Sequence, residues 1–199
     1  MKKITHKLLF VTFTLICLSL LSFTQIENQK IKGWILAGSN PESYQIGVEK
    51  NIERNGNVGY LKSTSSKIKG FGTIMQSFTP TDFLGKKVKL TGYIKTTDVK
   101  DWSGMWMRVD GNKKGEVLSF DNMGDRPIKG TTPWTKYEIV LEVPETAINI
   151  SYGVLTSGTG TALIDDFKFE IINSNVASTG NGNVLNLKKP TNTNFDESN

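Results

Sequence analysis

The stretch GMWMRVDGNKKGEVLSFDNM, residues 104–123, has the pattern of a β-hairpin. Two runs of alternating apolar and polar residues flank a segment rich in Gly, Asn and Lys. Gly and Asn tolerate the positive φ angles that tight connections require. Successive side chains of a strand point to opposite faces. The first run therefore predicts one face made of Met105, Met107 and Val109, and an opposite face made of Trp106, Arg108 and Asp110.

Similar runs recur throughout residues 31–172. They are rich in Val, Ile, Tyr, Phe and Thr, they are separated by Gly, Asn, Asp and Pro, and no segment has the periodicity of an amphipathic helix. The predicted strands are 44–49, 58–65, 72–78, 87–96, 104–110, 116–123, 135–144, 149–158 and 161–172. A single open sheet cannot bury this many alternating faces, so the sequence predicts an all-β fold, an antiparallel β-sandwich.

The N-terminal segment, residues 1–24, has the pattern of a secretory signal peptide. Three lysines precede a mostly apolar stretch from Leu8 to Phe23, which is shorter than the roughly 20 residues that a spanning helix prefers. Ser22 and Thr24 are small residues at positions suited to cleavage. The segment thus predicts export to the periplasm, cell envelope or medium. The alternative is an uncleaved anchor, through which the protein would contact the membrane.

Cleavage would leave a chain without histidine or cysteine, because the sequence has one of each, His6 and Cys17. Such a chain has no Ser-His-Asp triad, no cysteine nucleophile, no His or Cys zinc site and no disulfide. It would carry 21 basic against 19 acidic residues, and no basic run exceeds two adjacent lysines. Since nucleic-acid binding needs a clustered basic surface, the composition predicts no nucleic-acid partner.

The composition changes after Ile172. Residues 173–199 contain eight Asn and few apolar residues, which is typical of flexible segments. We therefore predict a flexible, Asn-rich tail, with an added edge strand from Val184 to Leu187 as the alternative.

The hairpin face that carries Trp106 is the candidate ligand site. An aromatic ring beside a cation and a carboxylate suits sugar recognition, because apolar sugar faces stack on Trp while hydroxyls bond to charged groups. The predicted ligand-binding residues are Trp106, Arg108, Asp110, Asp121, Asn122, Asp125 and Arg126, with Trp102 from the segment VKDWSG. In the alternative, structural interpretation, Arg108 pairs with Asp121 or Asp110 across the hairpin, and a buried Trp106 serves packing.

Several segments resemble a galactose-binding-like jelly-roll family of bacterial modules. They include GWILAGSNPESYQIGVE, NGNVGYLKS, GFGTIMQSF, WMRVDG, FDNMGDRPIKGTTPWTKYEIVLEVP and LIDDFKFE, within residues 33–172. Such modules are similar to carbohydrate-binding modules with a β-sandwich core, and similar segments also occur in proteins labelled AraC-type regulators or serine peptidases. This sequence has neither a helix-turn-helix pattern nor a catalytic domain, so those labels do not transfer. PTNTNFDES, residues 190–198, resembles the opening strand of a further jelly-roll module.

The last predicted strand contains a carboxylate within an apolar stripe. In LIDDFKFE and the residues after it, alternation predicts one face made of Leu163, Asp165, Phe167, Phe169 and Ile171. A buried carboxylate needs a partner. Related jelly rolls often hold a structural Ca²⁺ near such an Asp, so the resemblance implies a calcium site at Asp165 with Glu49, Glu53 or Asn55. The alternative is an Asp that accepts backbone N–H bonds at a β-bulge.

These observations predict a secreted, non-catalytic module that binds carbohydrate or a cell-envelope glycan, with structural calcium as the one candidate cofactor. Two other classes stay open. One is a structural or adhesion domain of an envelope assembly. The other is a carboxylate-based glycosidase that uses Asp110, Asp121 or Asp125. Catalysis is the remoter of the two, because charged acids on a hairpin lack the apolar pocket that raises one pKa.

Overall fold

The computed structural model describes residues 30–173, 175–179 and 189–197 of the chain. These residues form nine β-strands: β1 (Ile35–Gly38), β2 (Tyr44–Asn51), β3 (Gly56–Ser63), β4 (Phe71–Phe78), β5 (Lys86–Asp110), β6 (Val117–Asp121), β7 (Ile128–Val143), β8 (Asn149–Ser157) and β9 (Thr161–Ile172). Their helical elements are two 3-10 turns, Pro41–Ser43 and Ile52–Arg54. In this part of the chain no helix has the length and apolar character needed to cross a membrane. The predicted signal peptide lies outside the described residues.

Strand β5 connects the two layers of a sandwich. Residues 86–97 of β5 pair with β7 and β9, and residues 102–110 pair with β8, joined by β6 from Met107 onward. The first residues of β7 continue beside β5 as far as Ser103. One layer therefore has the order β1-β4-β8-β5-β6 and the other the order β7-β5-β9-β3-β2, with all pairs antiparallel. The passage between the layers coincides with register shifts against β7 and with a positive φ at Asp98. Bulges of this kind bend a strand and increase its twist.

The predicted fold class is confirmed, with three differences in the strands. Strand β7 begins at Ile128, seven residues before the predicted start at 135. The runs predicted at 87–96 and 104–110 belong to one strand, because the polar segment between them keeps its backbone pairing while it bends. Strand β1 was not predicted, since its four residues are too short to show an alternation.

The inward faces of both layers form one apolar core. Met105, Met107 and Val109 of β5 are fully buried in it, which confirms the face predicted for this run. The adjacent layer contributes Leu90 and Ile139, each without exposed surface. The alternation along β5 therefore leaves its even-numbered residues from 102 to 108 on the face that points away from this core.

Tyr152 of β8 lies at the centre of the core's aromatic cluster. Four aromatic rings surround it at centroid distances of 4.9–6.1 Å, those of Trp34, Phe78, Phe167 and Phe169. Its hydroxyl has no hydrogen-bond partner among the described residues, and burial of an unbonded hydroxyl costs on the order of 1–3 kcal/mol. We therefore expect Tyr152→Phe to raise the free energy of unfolding by about 1 kcal/mol or more, as measured by urea denaturation.

The matched control is Tyr137→Phe, because Tyr137 is only half-buried and its hydroxyl is not among the buried groups that lack a partner. No gain in stability is expected there. A loss of stability in Tyr152→Phe would contradict the prediction and indicate a bonded hydroxyl.

The C-terminal segment, defined here as residues 189–197, packs against the sandwich. Phe195 is 1% exposed, and its ring stacks on that of Trp34 at a centroid distance of 4.9 Å. The Trp34 Nε1 donates a hydrogen bond of 3.0 Å to the Asn192 carbonyl oxygen. The side-chain amide of Gln76 exchanges two further bonds, of 2.7 and 2.8 Å, with the backbone of Thr191.

The prediction of a flexible tail is thereby corrected for the C-terminal segment. A single buried aromatic ring with several backbone bonds offsets the entropy lost on ordering, even in a stretch of polar composition. The same contacts mean that Phe195 completes this sandwich, whereas the sequence resemblance assigned PTNTNFDES to the start of a further module. The edge strand considered for Val184 to Leu187 lies outside the described residues.

Candidate functional site

An aromatic cleft lies on the outer face of the layer formed by β1, β4, β8, β5 and β6. It has a volume of about 570 Å³. Its apolar lining consists of Ala37, Phe71, Met75, Trp102, Trp106, Phe120 and Leu155. Its remaining lining consists of Gly38, Gly70, Thr73, Arg108, Asn122 and Ser157. Because side chains alternate along each strand, five neighbouring strands contribute their outward residues to this one surface.

Trp106 forms the floor of the aromatic cleft. It is 7% exposed and packs with Met75 and Leu155 into a small apolar cluster. Its Nε1 donates to the Thr73 hydroxyl at 2.8 Å, and that hydroxyl donates to the Val154 carbonyl oxygen at 2.9 Å. These bonds hold the indole in place. Trp106 therefore packs, as the structural interpretation proposed, and also lines a cleft, as the ligand interpretation proposed.

Three other aromatic residues, Phe71, Trp102 and Phe120, stand around this floor and are only partly buried. Phe71 and Trp102 both pair with Ser157 of β8, one from each side, which places the two rings at the same end of the cleft. A side chain at Gly104 would lie 3.2 Å from the Trp102 ring and 2.9 Å from the Asn122 carbonyl oxygen. Glycine at this position therefore makes room for both.

Arg108 supplies the charge of the aromatic cleft. In the backbone register of the sheet, Arg108 lies opposite Phe120 of β6 on one side and opposite Ser151 of β8 on the other. Its guanidinium is half-buried, and its Nε has no hydrogen-bond partner among the described residues. Burial lowers the pKa of Arg108, and the nearby Asp110 carboxylate opposes that shift.

Three predicted residues lie at the end of β6 and in the β6–β7 loop and do not line the cleft, namely Asp121, Asp125 and Arg126. Arg126 pairs with Asp121 and, at 2.8 Å, with Asp125. The second oxygen of Asp121 accepts the Met123 N–H at 2.7 Å. Asp121 thus pairs with Arg126 and not with Arg108. These bonds shape the loop that carries Asn122, which does line the cleft.

Asp110, another predicted ligand-binding residue, is 1% exposed and also does not line the cleft. It accepts a bond of 2.9 Å from the Asn149 side chain, and its backbone carbonyl accepts the Ile148 N–H. Burial raises the pKa of Asp110 to about 6, while the bond from Asn149 and the charge of Arg108 oppose the shift. Its position identifies Asp110 as a structural residue at the end of the hairpin.

Four of the predicted residues, Trp102, Trp106, Arg108 and Asn122, line the cleft. Sequence reasoning missed Phe120 of β6 and the contributions of β1, β4 and β8. Phe71, Thr73 and Met75 of β4 alternate with the core residue Ile74, so their outward direction could have been predicted from period two. Which strand lies beside β5, however, is decided by pairing across a long separation in sequence.

The face predicted for the last strand is wrong before Asp165, where Leu163 points away from the core, and holds beyond it, where Phe167 is buried. Ala162 and Ile164 face the core before this point and Phe167 faces it afterwards, because a bulge at Asp165 and Asp166 reverses the alternation. Asp166 has a φ of 52°, and its N–H donates to the Asp165 carboxylate at 2.8 Å. Asp165 thus accepts a backbone N–H bond at a bulge, which is the geometry that the alternative to a calcium site described.

The Asp165 carboxylate also accepts a bond of 2.6 Å from Arg54 Nε, while the same guanidinium pairs with Asp166. Arg54 thus supplies the positive charge that the calcium prediction expected of a metal ion. Glu53 pairs with Lys95, and Glu49 is exposed. The described residues hold no group of three or more acidic, His or Cys side chains arranged to bind a metal. A calcium site at Asp165, Glu49 and Glu53 stays a prediction.

Comparison with known proteins identifies relatives in sequence and in fold. No protein-family model matches the chain. A Bacillus subtilis (strain 168) protein described as an HTH-type transcriptional regulator, YbfP, is 42% identical over 174 residues, which are 85% of this chain and 58% of the relative. The chain therefore spans less than two thirds of this relative's length. This similarity agrees with the resemblance to segments of proteins labelled AraC-type regulators.

Among solved structures, the enzymatically active domain of tailspike protein 4 of bacteriophage CBA120 superposes with a TM-score of 0.56 and 15% identity, over 72% of this chain and 20% of that one. The CBM22-1 xylan-binding domain of Paenibacillus barcinonensis Xyn10C superposes with a TM-score of 0.50 and 16% identity, over 74% and 90% of the two chains. Another xylan-binding domain of CBM 22 gives 0.50 and 12%, over 71% and 88%. The fold is thus a jelly-roll β-sandwich of the kind found in carbohydrate-binding modules, as the sequence resemblance predicted.

Proposed function

We propose that the protein is a non-catalytic carbohydrate-binding module whose ligand occupies the aromatic cleft. The observation that carries the proposal is the position of Phe71, Trp102 and Phe120 around the fixed indole of Trp106. Flat aromatic surfaces attract the apolar C–H faces of sugar rings, and their fixed orientation limits the entropy lost on binding. Arg108 and Asn122 provide hydrogen-bonding groups at the cleft for sugar oxygens.

The cleft chemistry favours binding over catalysis. Glycoside hydrolysis commonly uses two carboxyl groups that flank the scissile bond. Among the described residues that line the cleft, Arg108 is the one ionisable side chain. Asp110 and Asp121 are buried outside the lining, and Asp125 is exposed in the loop beyond it. The part of the chain that the structure describes therefore supplies no pair of carboxylates at the cleft surface.

Export is part of the proposal and rests on the N-terminal sequence. A basic start followed by an apolar stretch of limited length is typical of a secretory signal. Export would place the cleft where cell-envelope or external glycans are found. Sequencing the N-terminus of the protein recovered from its source cells tests this part separately from binding.

Replacement of Trp102 tests the binding site. Trp102→Ala is expected to weaken the affinity for a glycan identified on a glycan array by about 10- to 100-fold, because truncation of a central aromatic anchor commonly costs 2 kcal/mol or more. The measurement is isothermal titration calorimetry, with melting temperature as a check of the fold.

The matched control is Trp134→Ala. Trp134 is also half-buried, but it lies on β7 beside Arg54, outside the cleft lining. Its loss is expected to leave glycan affinity unchanged. Absence of binding to every glycan by the folded wild-type protein, or equal losses in both variants, would contradict the proposed site.

A further inference from the structure

The three arginines of the chain differ in their partners. Arg54 is bonded to Asp165 and Asp166, and Arg126 to Asp121 and Asp125. Arg108, by contrast, makes no ion pair or hydrogen bond through its guanidinium with any described residue. The described residues thus provide two carboxylates for Arg54, two for Arg126 and none within bonding distance of the Arg108 guanidinium.

The unpaired guanidinium lies in the part of the surface that a ligand would cover. It borders the aromatic cleft, and no carboxylate occurs among the described residues that line this cleft. A neutral ligand would remove further water from Arg108 without supplying a countercharge, which costs free energy. A ligand with a carboxylate would supply that charge together with two acceptors for the planar fork of donors.

The surface beyond one end of the cleft carries more positive than negative side chains. Gly70 and Ser157 lie at this end of the cleft, and the adjoining depression is lined by three lysines, Lys67, Lys69 and Lys100, and one carboxylate, Asp101. Lys100 pairs with Asp98 at 3.0 Å. Lys67 and Lys69 are exposed and make no ion pair within the described part of the chain. A chain of acidic sugars that leaves the cleft at this end would therefore meet further positive charge.

We infer that the glycan bound in the aromatic cleft is acidic, and that Arg108 binds the carboxylate of a uronate residue. This inference rests on the proposed carbohydrate-binding function. A uronate replaces the exocyclic CH₂OH of a hexose by a carboxylate of similar size, so its ring still fits against the aromatic residues. Its single charge matches the single charge of Arg108, whereas a phosphate monoester carries about −1.5 to −2.

Matched acidic and neutral oligosaccharides test the inference. The probes are oligomers of galacturonate, glucuronate-substituted xylan and alginate, each measured by calorimetry against its carboxyl-reduced counterpart of equal length and linkage. We expect at least one acidic oligomer to bind 10-fold or more tightly than its reduced counterpart. In Arg108→Gln this ratio is expected to fall to about one. Addition of salt is expected to weaken the acidic oligomer selectively, since exposed charges are screened.

Two further variants make the result specific to this position. Lys50→Gln removes an exposed cation outside the cleft and is expected to keep the wild-type preference. Arg108→Lys keeps the charge but loses the planar fork, so an intermediate ratio is expected. If Arg108→Gln fails to fold, the preference of the wild-type protein and the intermediate ratio of Arg108→Lys still decide the question.

The outcomes separate this inference from the proposed function. Equal binding of acidic and reduced oligomers would overturn the acidic ligand and leave the carbohydrate site in place. Tighter binding of sulfated oligomers than of uronates would overturn the carboxylate assignment. Absence of binding to the whole panel and to the glycan array would overturn the proposed function itself.

Discussion

Replacement of Phe195 by Ala is expected to lower the free energy of unfolding by about 3–5 kcal/mol, the usual cost of removing a fully buried Phe ring. Phe195 is buried against Trp34, and its ring edge fills the space over Gly59, where a Cβ would lie 2.4 Å from it. Loss of the ring would leave a cavity between β3 and Trp34. Urea denaturation followed by tryptophan fluorescence measures the effect, because Trp34 itself reports on this packing.

Val176→Ala is the control for the Phe195 experiment. Val176 also follows the last strand, but its side chain is 43% exposed. Its truncation is expected to change stability by less than about 0.5 kcal/mol. A loss below about 1 kcal/mol in Phe195→Ala would mean that the C-terminal segment does not pack as described.

The second large expected effect is a fall in the free energy of unfolding with rising pH, caused by the Asp110 carboxyl group. Burial raises the pKa of Asp110 to about 6 from an ordinary value of 3.8, so the folded state binds this proton more tightly than the unfolded state does. The stabilisation that results from this tighter proton binding is complete below about pH 4 and is lost as the pH rises to about 6. A shift of about two pKa units corresponds to about 3 kcal/mol.

Comparison with Asp110→Asn isolates this effect, because the amide does not titrate while all other acidic groups are shared. The free energy of unfolding of the wild-type protein minus that of Asp110→Asn is expected to fall by about 3 kcal/mol between pH 4 and pH 7. Asp82→Asn, at an exposed position, controls for the loss of one carboxylate. A difference that stays constant from pH 4 to pH 7 would show that Asp110 is not buried as described.

The aromatic cleft shows which neighbouring residues can be predicted from alternation along one strand and which cannot. Alternation along one run placed Trp106 and Arg108 opposite the buried Met105 and Met107, and this prediction is confirmed. The same reasoning grouped Asp121, Asp125 and Arg126 with them because they are near in sequence. In the structure Arg126 pairs with Asp121 at the end of β6 and with Asp125 in the loop that follows, away from the cleft. Nearness in sequence thus predicted a common hairpin but not a common surface.

Asp165 shows the limit of alternation within a single strand. Period two holds along β9 until the bulge, where one extra residue reverses which side chains face the core. The partner of the carboxylate, Arg54, lies 111 positions earlier in the chain. The need of a buried carboxylate for a partner was predictable from electrostatics alone, whereas the identity of that partner depended on the pairing of β3 with β9.

Local periodicity and turn-forming residues were sufficient to predict the β-sandwich class, the absence of amphipathic helices from residues 31–172, and the inward and outward faces of the hairpin. Tertiary structure decided that β4, β8 and β5 lie side by side, that Phe71 and Trp102 share one cleft, and that Phe195 enters the core. Those contacts join residues far apart along the chain, and their free energy comes from burial that exists only after the two layers have closed.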